Sequence, residues 1–332
     1  MLAALLFALQ QPKLQEQITV ERVIVDARVT DSNGEPITGL KPSDFIVKID
    51  GKRAVVEAAD WIADTAAQRE VDEQLNGGHA LSPVPSPGRL LVFLYQTDFA
   101  RNDARVRGQM KLLQMDEWLD WIEPEDRVAV LSFDSHLKFR LDFTNNKHDI
   151  ANAMEESLYI SDPPWPQRVP LPSLGSRLKP EELAKDGSPE RALIEIGNAL
   201  MNIPGPKSLI LFGWGLGRFS RDGVRMAPNY WIARQALEMA RVSVFSIDFT
   251  EADSHSLAAG LGKVADDTGG FYASTHNFPY LAVKRLRRTL AGHYELEVRK
   301  PATTARGAHT IDVEVKGHNA YYVLARSSYA DR

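Results

Sequence analysis

The sequence predicts an α/β fold: a three-layer, doubly wound and mostly parallel sheet, flanked by antiparallel β segments from both ends of the chain. Three observations lead to this prediction. Short apolar runs alternate with amphipathic stretches between residues 88 and 291. Segments of period-two alternation with turn residues lie before and after that region. A polar and then proline-rich stretch, 64–87, reads as a linker between the first β segment and the alternating region.

The alternating region 88–291 contains six predicted strands and six predicted helices, with a proline-rich insertion at 161–187. The predicted strands are 89–95, 127–133, 136–143, 207–212, 242–247 and 270–273, and 136–143 is expected at a sheet edge because its apolar residues alternate. The predicted helices are 103–122, 147–158, 188–203, 230–241, 255–268 and 278–290. Because strands joined through helices need right-handed crossovers, this order predicts a parallel sheet with helices on both faces.

The two ends of the chain are predicted to be β structure. Segment 16–63 contains three strand-like runs separated by turns, and segment 292–332 contains three alternating runs with polar outer positions. We expect these two segments to pack together.

Residues 1–15 are predicted to be an export signal or a disordered terminus. Residues 1–9 are almost wholly apolar, but they lack a positively charged start and a clean cleavage site. The preferred interpretation is a secreted or periplasmic protein, and the alternative is a cytoplasmic one. No stretch of the sequence is long and apolar enough to predict a stable transmembrane segment.

Composition excludes several classes of site. The chain has 332 residues, a net charge of −5 and no cysteine. Disulfides, thiolate metal sites and cysteine nucleophiles are therefore excluded. The acidic balance argues against a nucleic-acid partner, because such proteins usually carry a basic patch.

Several stretches of the chain carry a resemblance to a known family. They are 29–45, 125–130, 203–212, 309–315 and 325–329, and their order and spacing count for more than any one of them. Together they resemble the von Willebrand factor A-type (vWA) domain proteins of the VWFA-related family of acidobacteria. The resemblance covers nearly everything from residue 19 to residue 329, and it implies a vWA-like, Rossmann-like core at 88–291.

In vWA domains the carboxyl edge of the sheet usually holds a divalent cation. The resemblance implies an Asp-x-Ser-x-Ser run after the first core strand, a Thr from a middle loop and an Asp after the fourth strand. Here Tyr95 stands at the first Asp, Thr97 and Phe99 at the serines, and Trp214 at the second Asp. Ser188 is the nearest counterpart of the Thr. Hard cations need several oxygen ligands, so we expect a degenerate site without metal or cofactor; the alternative is Mg²⁺ held with Asp98 shifted into place.

The same edge of the sheet carries aromatic and cationic residues where the family has oxygen donors. Such residues are enriched at the centres of protein interfaces. The candidates for a binding face are Tyr95, Thr97, Asp98, Phe99, Ser188, Trp214, Arg218 and Arg221. The alternative is that Tyr95 and Trp214 simply pack over the end of the sheet.

No constellation of residues predicts catalysis. The eight histidines are scattered, and no Gly-x-Ser-x-Gly elbow occurs. Gly213, Gly215 and Gly217 could suggest a phosphate-binding loop, but a flexible loop at a former ligand site fits better, because the spacing of a phosphate loop is missing.

Three functional hypotheses follow. The first is a non-enzymatic protein-interaction module with an unknown protein partner and a degenerate metal site. The second is a metal-dependent, adhesion-type vWA domain with altered ligands. The third, and the weakest, is a hydrolase. A titration of the unfolding temperature with divalent cations separates the first two, since a ligand that binds only the native state must stabilise it.

Overall fold

The structure is a computed structural model that describes residues 21–77, 88–97, 110–115, 118–159, 161–167, 169–185, 187–250, 257–275, 278–301, 306–318 and 320–331. These residues form a six-stranded sheet, a seven-stranded sheet and a small two-stranded hairpin. The expectation for residues 1–15 lies outside the described part of the chain. Among the described residues, no helix combines the length and the apolar character needed to cross a bilayer.

The strands, numbered in chain order, are β1 (Arg22–Thr30), β2 (Phe45–Ile49), β3 (Lys52–Ala63), β4 (Leu90–Gln96), β5 (Arg127–Phe133), β6 (Leu137–Thr144), β7 (Lys207–Gly213), β8 (Arg218–Ser220), β9 (Gly223–Arg225), β10 (Val242–Asp248), β11 (Tyr272–Ser274), β12 (Gly292–Arg299), β13 (Ala308–Val315), β14 (Tyr322–Ala325) and β15 (Ser328–Ala330). The helices are α1 (Ala66–Leu75), α2 (Lys147–Glu156), α3 (Pro180–Leu183), α4 (Pro189–Leu200), α5 (Tyr230–Met239), α6 (Ala258–Thr268) and α7 (Pro279–Thr289). A 3-10 turn covers Pro42–Asp44.

The six-stranded sheet has the order β11-β10-β7-β4-β5-β6. All neighbouring pairs are parallel except β5 and β6, which run antiparallel. The alternating segment 136–143 therefore becomes an edge strand, as its pattern predicted. This sheet and the antiparallel β structure of both chain ends confirm the mixed α/β class.

Successive side chains of β4 enter two different apolar clusters, because strand residues point alternately to the two faces of a sheet. Leu91 and Phe93 join a cluster with Ile150 of α2 and Leu286 of α7. Val92 and Leu94 join the other cluster, which contains residues of α4, α5 and α6. Each cluster buries one face of the sheet.

The seven-stranded sheet interleaves strands from the two ends of the chain, in the order β14-β1-β12-β3-β2-β13-β15. Its apolar centre is Tyr294, which is fully buried beside Phe45 at 5.3 Å and Trp61 at 5.0 Å between ring centroids. The Tyr294 hydroxyl donates to the Ile37 carbonyl and accepts from the Leu40 amide, each at 3.0 Å. A buried tyrosine needs such partners for its polar end.

Part of the predicted linker 64–87 is a helix, α1, which the sequence reading missed. Thr65 caps its amino end by accepting from the Gln68 amide at 3.2 Å. On the inner side, Asp72 accepts from the Trp61 indole at 2.7 Å. The helix is held by a cap and by polar contacts, which include the Ala66 amide donating to Glu123, rather than by an apolar stripe, so the sequence pattern gave little sign of it.

The predicted helix 103–122 is also revised in the part that is described. Residues 110–113 are helical, whereas Trp118 lies in a turn, Ile122 directly follows that turn, and both are buried in the cluster beside Phe93. The apolar spacing there reflects burial in turns instead of helical periodicity.

The carboxyl-terminal strands are tied to the turn before β3 through His309, which is almost fully buried. Its Nδ1 lies 2.8 Å from Asp50, and its Nε2 lies 3.0 Å from Asp331, which also contacts Lys300 at 2.7 Å. Burial alone would lower the pKa of His309, but hydrogen bonds to the two carboxylates raise it above its ordinary value.

We therefore expect this contact to weaken in mildly alkaline solution. Because the folded pKa of His309 is raised, its stabilisation is complete below the unfolded pKa of about 6.5 and is lost as pH rises through the folded value. Denaturant unfolding across this range should show a falling free energy of unfolding, and His309→Gln should remove that part of the fall. An unchanged pH slope in the variant would contradict this assignment.

Candidate functional site

The candidate site lies where β4 and β7 end. The chain leaves β4 toward β5 on one side and leaves β7 toward β10 on the other, so the two connections diverge at the carboxyl edge of the sheet. Open α/β sheets bind their ligands at such a point. Gln96 ends β4, and Gly213 ends β7.

The side chain of Gln96 occupies the space between the ends of β4 and β7. It is 3% exposed, and its Oε1 accepts from the amides of Trp214 at 3.0 Å and Gly215 at 3.2 Å. Its Nε2 donates to the Gly215 carbonyl at 2.7 Å. A Cβ on Gly213 would lie 2.7 Å from Gln96 Oε1, so a larger residue there would have to displace the Gln96 amide from these contacts. The side-chain amide thus ties the end of β4 to the loop after β7.

The glycine-rich loop after β7 has no amide left for a phosphate. Beside the two amides held by Gln96, Leu216 donates to the Leu257 carbonyl at 3.5 Å and Gly217 donates to Glu190 Oε1 at 3.0 Å. A Cβ on Gly215 would meet Leu257 Cβ at 2.4 Å. The predicted flexible loop is therefore a closely packed one, in which glycine permits the approach of a neighbouring segment.

Tyr95 needs correction as a binding-face residue. Its side chain is fully buried, and it stacks on Phe212 with 4.7 Å between ring centroids. Its hydroxyl has no hydrogen-bond partner in the described chain, and burial raises the pKa of Tyr95 well above its ordinary value. For this residue the packing alternative describes what is found.

Thr97 also faces inward. It is buried, and its hydroxyl donates to the Ser157 carbonyl at 3.1 Å. Ser188 is the amino-terminal cap of α4, where its hydroxyl accepts from the Arg191 amide at 3.3 Å. Both hydroxyl groups already serve the fold.

The remaining candidates divide into three groups. Trp214 is half-buried beside the Gln96 contact, and Arg218 and Arg221 are exposed on the hairpin of β8 and β9. Asp98 and Phe99 lie outside the described residues. The structure thus brings Thr97 and Trp214 to the same edge, with the two arginines beyond them.

Exposed aromatic side chains occur in several segments that begin or end at this carboxyl edge. Phe219 lies on the hairpin after β7, Trp231 in the first turn of α5, and Phe278 and Tyr280 at the start of α7, which follows β11. Tyr159 follows Ser157, whose carbonyl is bonded to Thr97. We call these five residues the aromatic rim. They range from 51% to 70% exposed, although large aromatic side chains are usually well buried.

Buried acids at the same edge are bound within the fold. Asp248, at the end of β10, accepts from the Tyr272 hydroxyl at 2.9 Å and from the Thr250 amide at 2.8 Å. Asp134, after β5, is held by Lys138 at 2.5 Å. Burial would raise the pKa of Asp134, but this hydrogen bond and those from Ser135 lower it. Within the described ranges, no three His or acidic residues group in a way that could hold a metal ion.

Sequence reasoning missed Gln96, Glu190 and Asp248. Each is a polar residue at the end of a buried strand or in the first turn of a helix, and that position is the signal that could have found them. Apart from Thr250, which is two residues from Asp248, their partners lie far away in sequence, so the sequence gives no direct sign of the pairing.

No protein-family model matches the sequence, and a search of curated proteins finds no significant match. Among solved structures, the human COPII-coat protein Sec24c is similar over 73% of this chain, with 14% identity and a TM-score of 0.40. A mutant of the PilB minor pilin from Streptococcus sanguinis is similar over 64% of this chain, with 12% identity and a TM-score of 0.36. Manganese-loaded TRAP protein from Plasmodium vivax is similar over 74% of this chain, with 12% identity and a TM-score of 0.39.

The similarity covers different shares of the three neighbouring chains. The chain spans 43% of Sec24c and 64% of the pilin, but 95% of TRAP. At such identities and TM-scores they do not establish a family for the chain.

Proposed function

We propose that this chain is a non-catalytic protein-binding module built on a vWA-type, three-layer and doubly wound core. The binding surface is the aromatic rim, together with Arg218 and Arg221 of the neighbouring hairpin. The exposure of five aromatic side chains around one edge of the sheet carries this proposal. A few residues carry most of the binding free energy of a protein interface, and Trp, Tyr and Arg are enriched among them.

The contacts at the switch point support a site without a cation. A divalent cation at this edge would need several free oxygen ligands. The Thr97 hydroxyl donates to a carbonyl, Gln96 is bonded to the backbone, and Asp248 already accepts two hydrogen bonds. The proposed partner is a protein outside the cytoplasm, since the apolar start of the sequence favours export.

Replacing Phe219 and Trp231 together by alanine should abolish partner capture without unfolding the protein. Each truncation of a buried interface aromatic costs about 2 kcal/mol or more, so the recovered partner should fall by more than tenfold. Both side chains are more than half exposed, so the unfolding temperature should change little. Immobilised protein incubated with extract of the source cells provides the measurement.

Tyr322→Ala is the matched control. Tyr322 is 56% exposed, but it lies on β14 of the other sheet. Its removal should leave capture unchanged. If Tyr322→Ala lost the partner while the Phe219 and Trp231 double variant still captured it in full, the aromatic rim would be refuted as the binding surface.

The metal-dependent alternative predicts a different response. Under that alternative, Mg²⁺, Ca²⁺ or Mn²⁺ should raise the unfolding temperature in a saturable way. The proposal expects no such rise, and it expects partner capture to survive a chelator.

A further inference from the structure

A dense run of positive charge lies in helix α7. Four of the five residues from 284 to 288 are Lys or Arg, although the net charge of the chain is −5. The sequence has no acidic residue between positions 278 and 291. Clusters of about four or more Lys and Arg on an amphipathic helix are typical of segments that bind anionic lipid surfaces. The protein-binding surface proposed above does not use this run.

Helix α7 turns one face to the core and leaves the other face open. Its inner residues, which include Leu286, are buried in the apolar cluster that contains Phe93. The exposed residues of its outer face are Tyr280, Leu281, Lys284, Arg285 and Arg287. Because residues three and four positions apart share a face of a helix, Leu281 lies beside Lys284. One surface thus joins apolar and cationic side chains.

The amino end of this outer face is apolar. Phe278, Tyr280 and Leu281 are each more than half exposed, and the rings of Phe278 and Tyr280 meet edge to face with 6.2 Å between their centroids. Aromatic residues and leucine beside Lys and Arg are the residues that an interfacial segment presents to a membrane. Leucine is under-represented among the hot spots of protein interfaces, and lysine is depleted there. The composition of this face therefore favours a lipid surface over a protein.

The positive charge of the outer face is largely unpaired within the fold. Lys284 and Arg287 have no acidic partner among the described residues. The guanidinium of Arg285 lies over the Phe271 ring, 4.1 Å from its centroid, and this contact leaves its charge in place. Three cations of α7 therefore remain available to an anionic surface.

Two acids near the carboxyl end of α7 count against this charge. Glu35 pairs with Arg288 at 2.7 Å between Oε1 and Nε. Asp31 belongs to the same loop, where its carboxylate accepts from backbone amides of its own turn. Four cations against two acids leave the surface positive.

We propose that the outer face of α7 docks on an anionic lipid bilayer. The three available cations pair with lipid phosphates, while Leu281 and its aromatic neighbours enter the headgroup region. This inference goes beyond the protein partner proposed above. Phe278 and Tyr280 also belong to the aromatic rim, but α7 and the helix that carries Trp231 cover opposite faces of the six-stranded sheet. Both surfaces can therefore be occupied at once.

Co-sedimentation of the full chain with lipid vesicles tests the proposal. We expect binding to vesicles of equimolar phosphatidylglycerol and phosphatidylcholine, and none to phosphatidylcholine alone. The bound fraction should fall at about 1 M salt, where charges are screened beyond about 3 Å. Lack of binding to the anionic vesicles, or equal binding to both kinds of vesicle, would overturn the proposal.

Two variants of α7 separate the electrostatic and the apolar contributions. Lys284→Gln combined with Arg287→Gln should weaken vesicle binding about thirtyfold, since each lost cation accounts for about fivefold. Leu281→Gln should weaken it about fivefold, because the exposed half of this side chain is no longer buried in the headgroup region. All three residues are exposed, so the unfolding temperature should change little.

Arg177→Gln combined with Lys179→Gln is the control for lost charge. Both residues are exposed, and they flank Leu178, which packs on the opposite face of the sheet from α7. This variant should bind vesicles like the parent. The Lys284 and Arg287 double variant should still capture the protein partner, so failure of one proposal is distinguishable from failure of the other.

Three further results would contradict membrane docking. The first is an equal loss of vesicle binding in the control variant, and the second is unchanged binding in either α7 variant. The third is binding of soluble poly-glutamate as tight as that of the anionic vesicles, because an acidic protein would then suffice as the partner of this face.

Discussion

Asp126→Ala should lower the free energy of unfolding by about 3–5 kcal/mol, the cost of leaving a buried charge without its partner. Asp126 is 1% exposed and accepts from the Arg89 guanidinium through Nε at 3.0 Å and Nη2 at 2.5 Å. It also accepts from the Arg89 amide at 2.9 Å and the Glu123 amide at 2.8 Å. Denaturant unfolding measures the loss.

Two further variants identify the cause. Glu125→Ala changes the neighbouring exposed acid and should stay within about 0.5 kcal/mol of the parent. With Arg89→Met already present, Asp126→Ala should cost clearly less, because no buried cation is then stranded. Equal costs in both backgrounds would show that the charge pair does not account for the effect.

Gln96→Leu should lower the free energy of unfolding by about 3 kcal/mol and loosen the loop after β7. The substitution leaves the amides of Trp214 and Gly215 and the Gly215 carbonyl without their buried partner. Each such group costs about 1–3 kcal/mol when it is not satisfied. Hydrogen exchange of these two amides should accelerate together with the global loss of stability.

Gln114→Leu is a matched control, because Gln114 is an exposed glutamine with no role at this edge. It should leave both stability and the two amides unchanged. Amides that remain protected in Gln96→Leu would show that the backbone of the loop holds itself in place.

The four central strands of the six-stranded sheet, β4, β5, β7 and β10, were predictable because their burial is almost continuous. The run 127–133 coincides with β5, and 242–247 differs from β10 by a single residue. Parallel strands buried on both faces leave such a signature, since nearly every residue is apolar. Ser188 and Pro189 likewise marked the start of α4 through local capping chemistry.

The parts that escaped prediction depend on contacts between distant segments. Nothing in the sequence around Gln96 indicates that it binds the loop after β7. Tyr95 was assigned to the binding face by alignment with a family motif, whereas its position in β4, a central strand with an apolar cluster on each face, decides that it is buried. The short strands β8 and β9 were missed because each has only three residues, which is too few to show the two-residue alternation of a strand.

The order of strands in the seven-stranded sheet has a consequence for how the protein is made. β1 lies between β12 and β14, so it has no neighbour to pair with until the last strands leave the ribosome. The α/β unit is complete by then, and units synthesised first tend to fold first. During synthesis the early strands therefore present free hydrogen-bonding edges, which are prone to aggregate. Closing this sheet therefore requires β12 and β14, which are synthesised after the α/β unit.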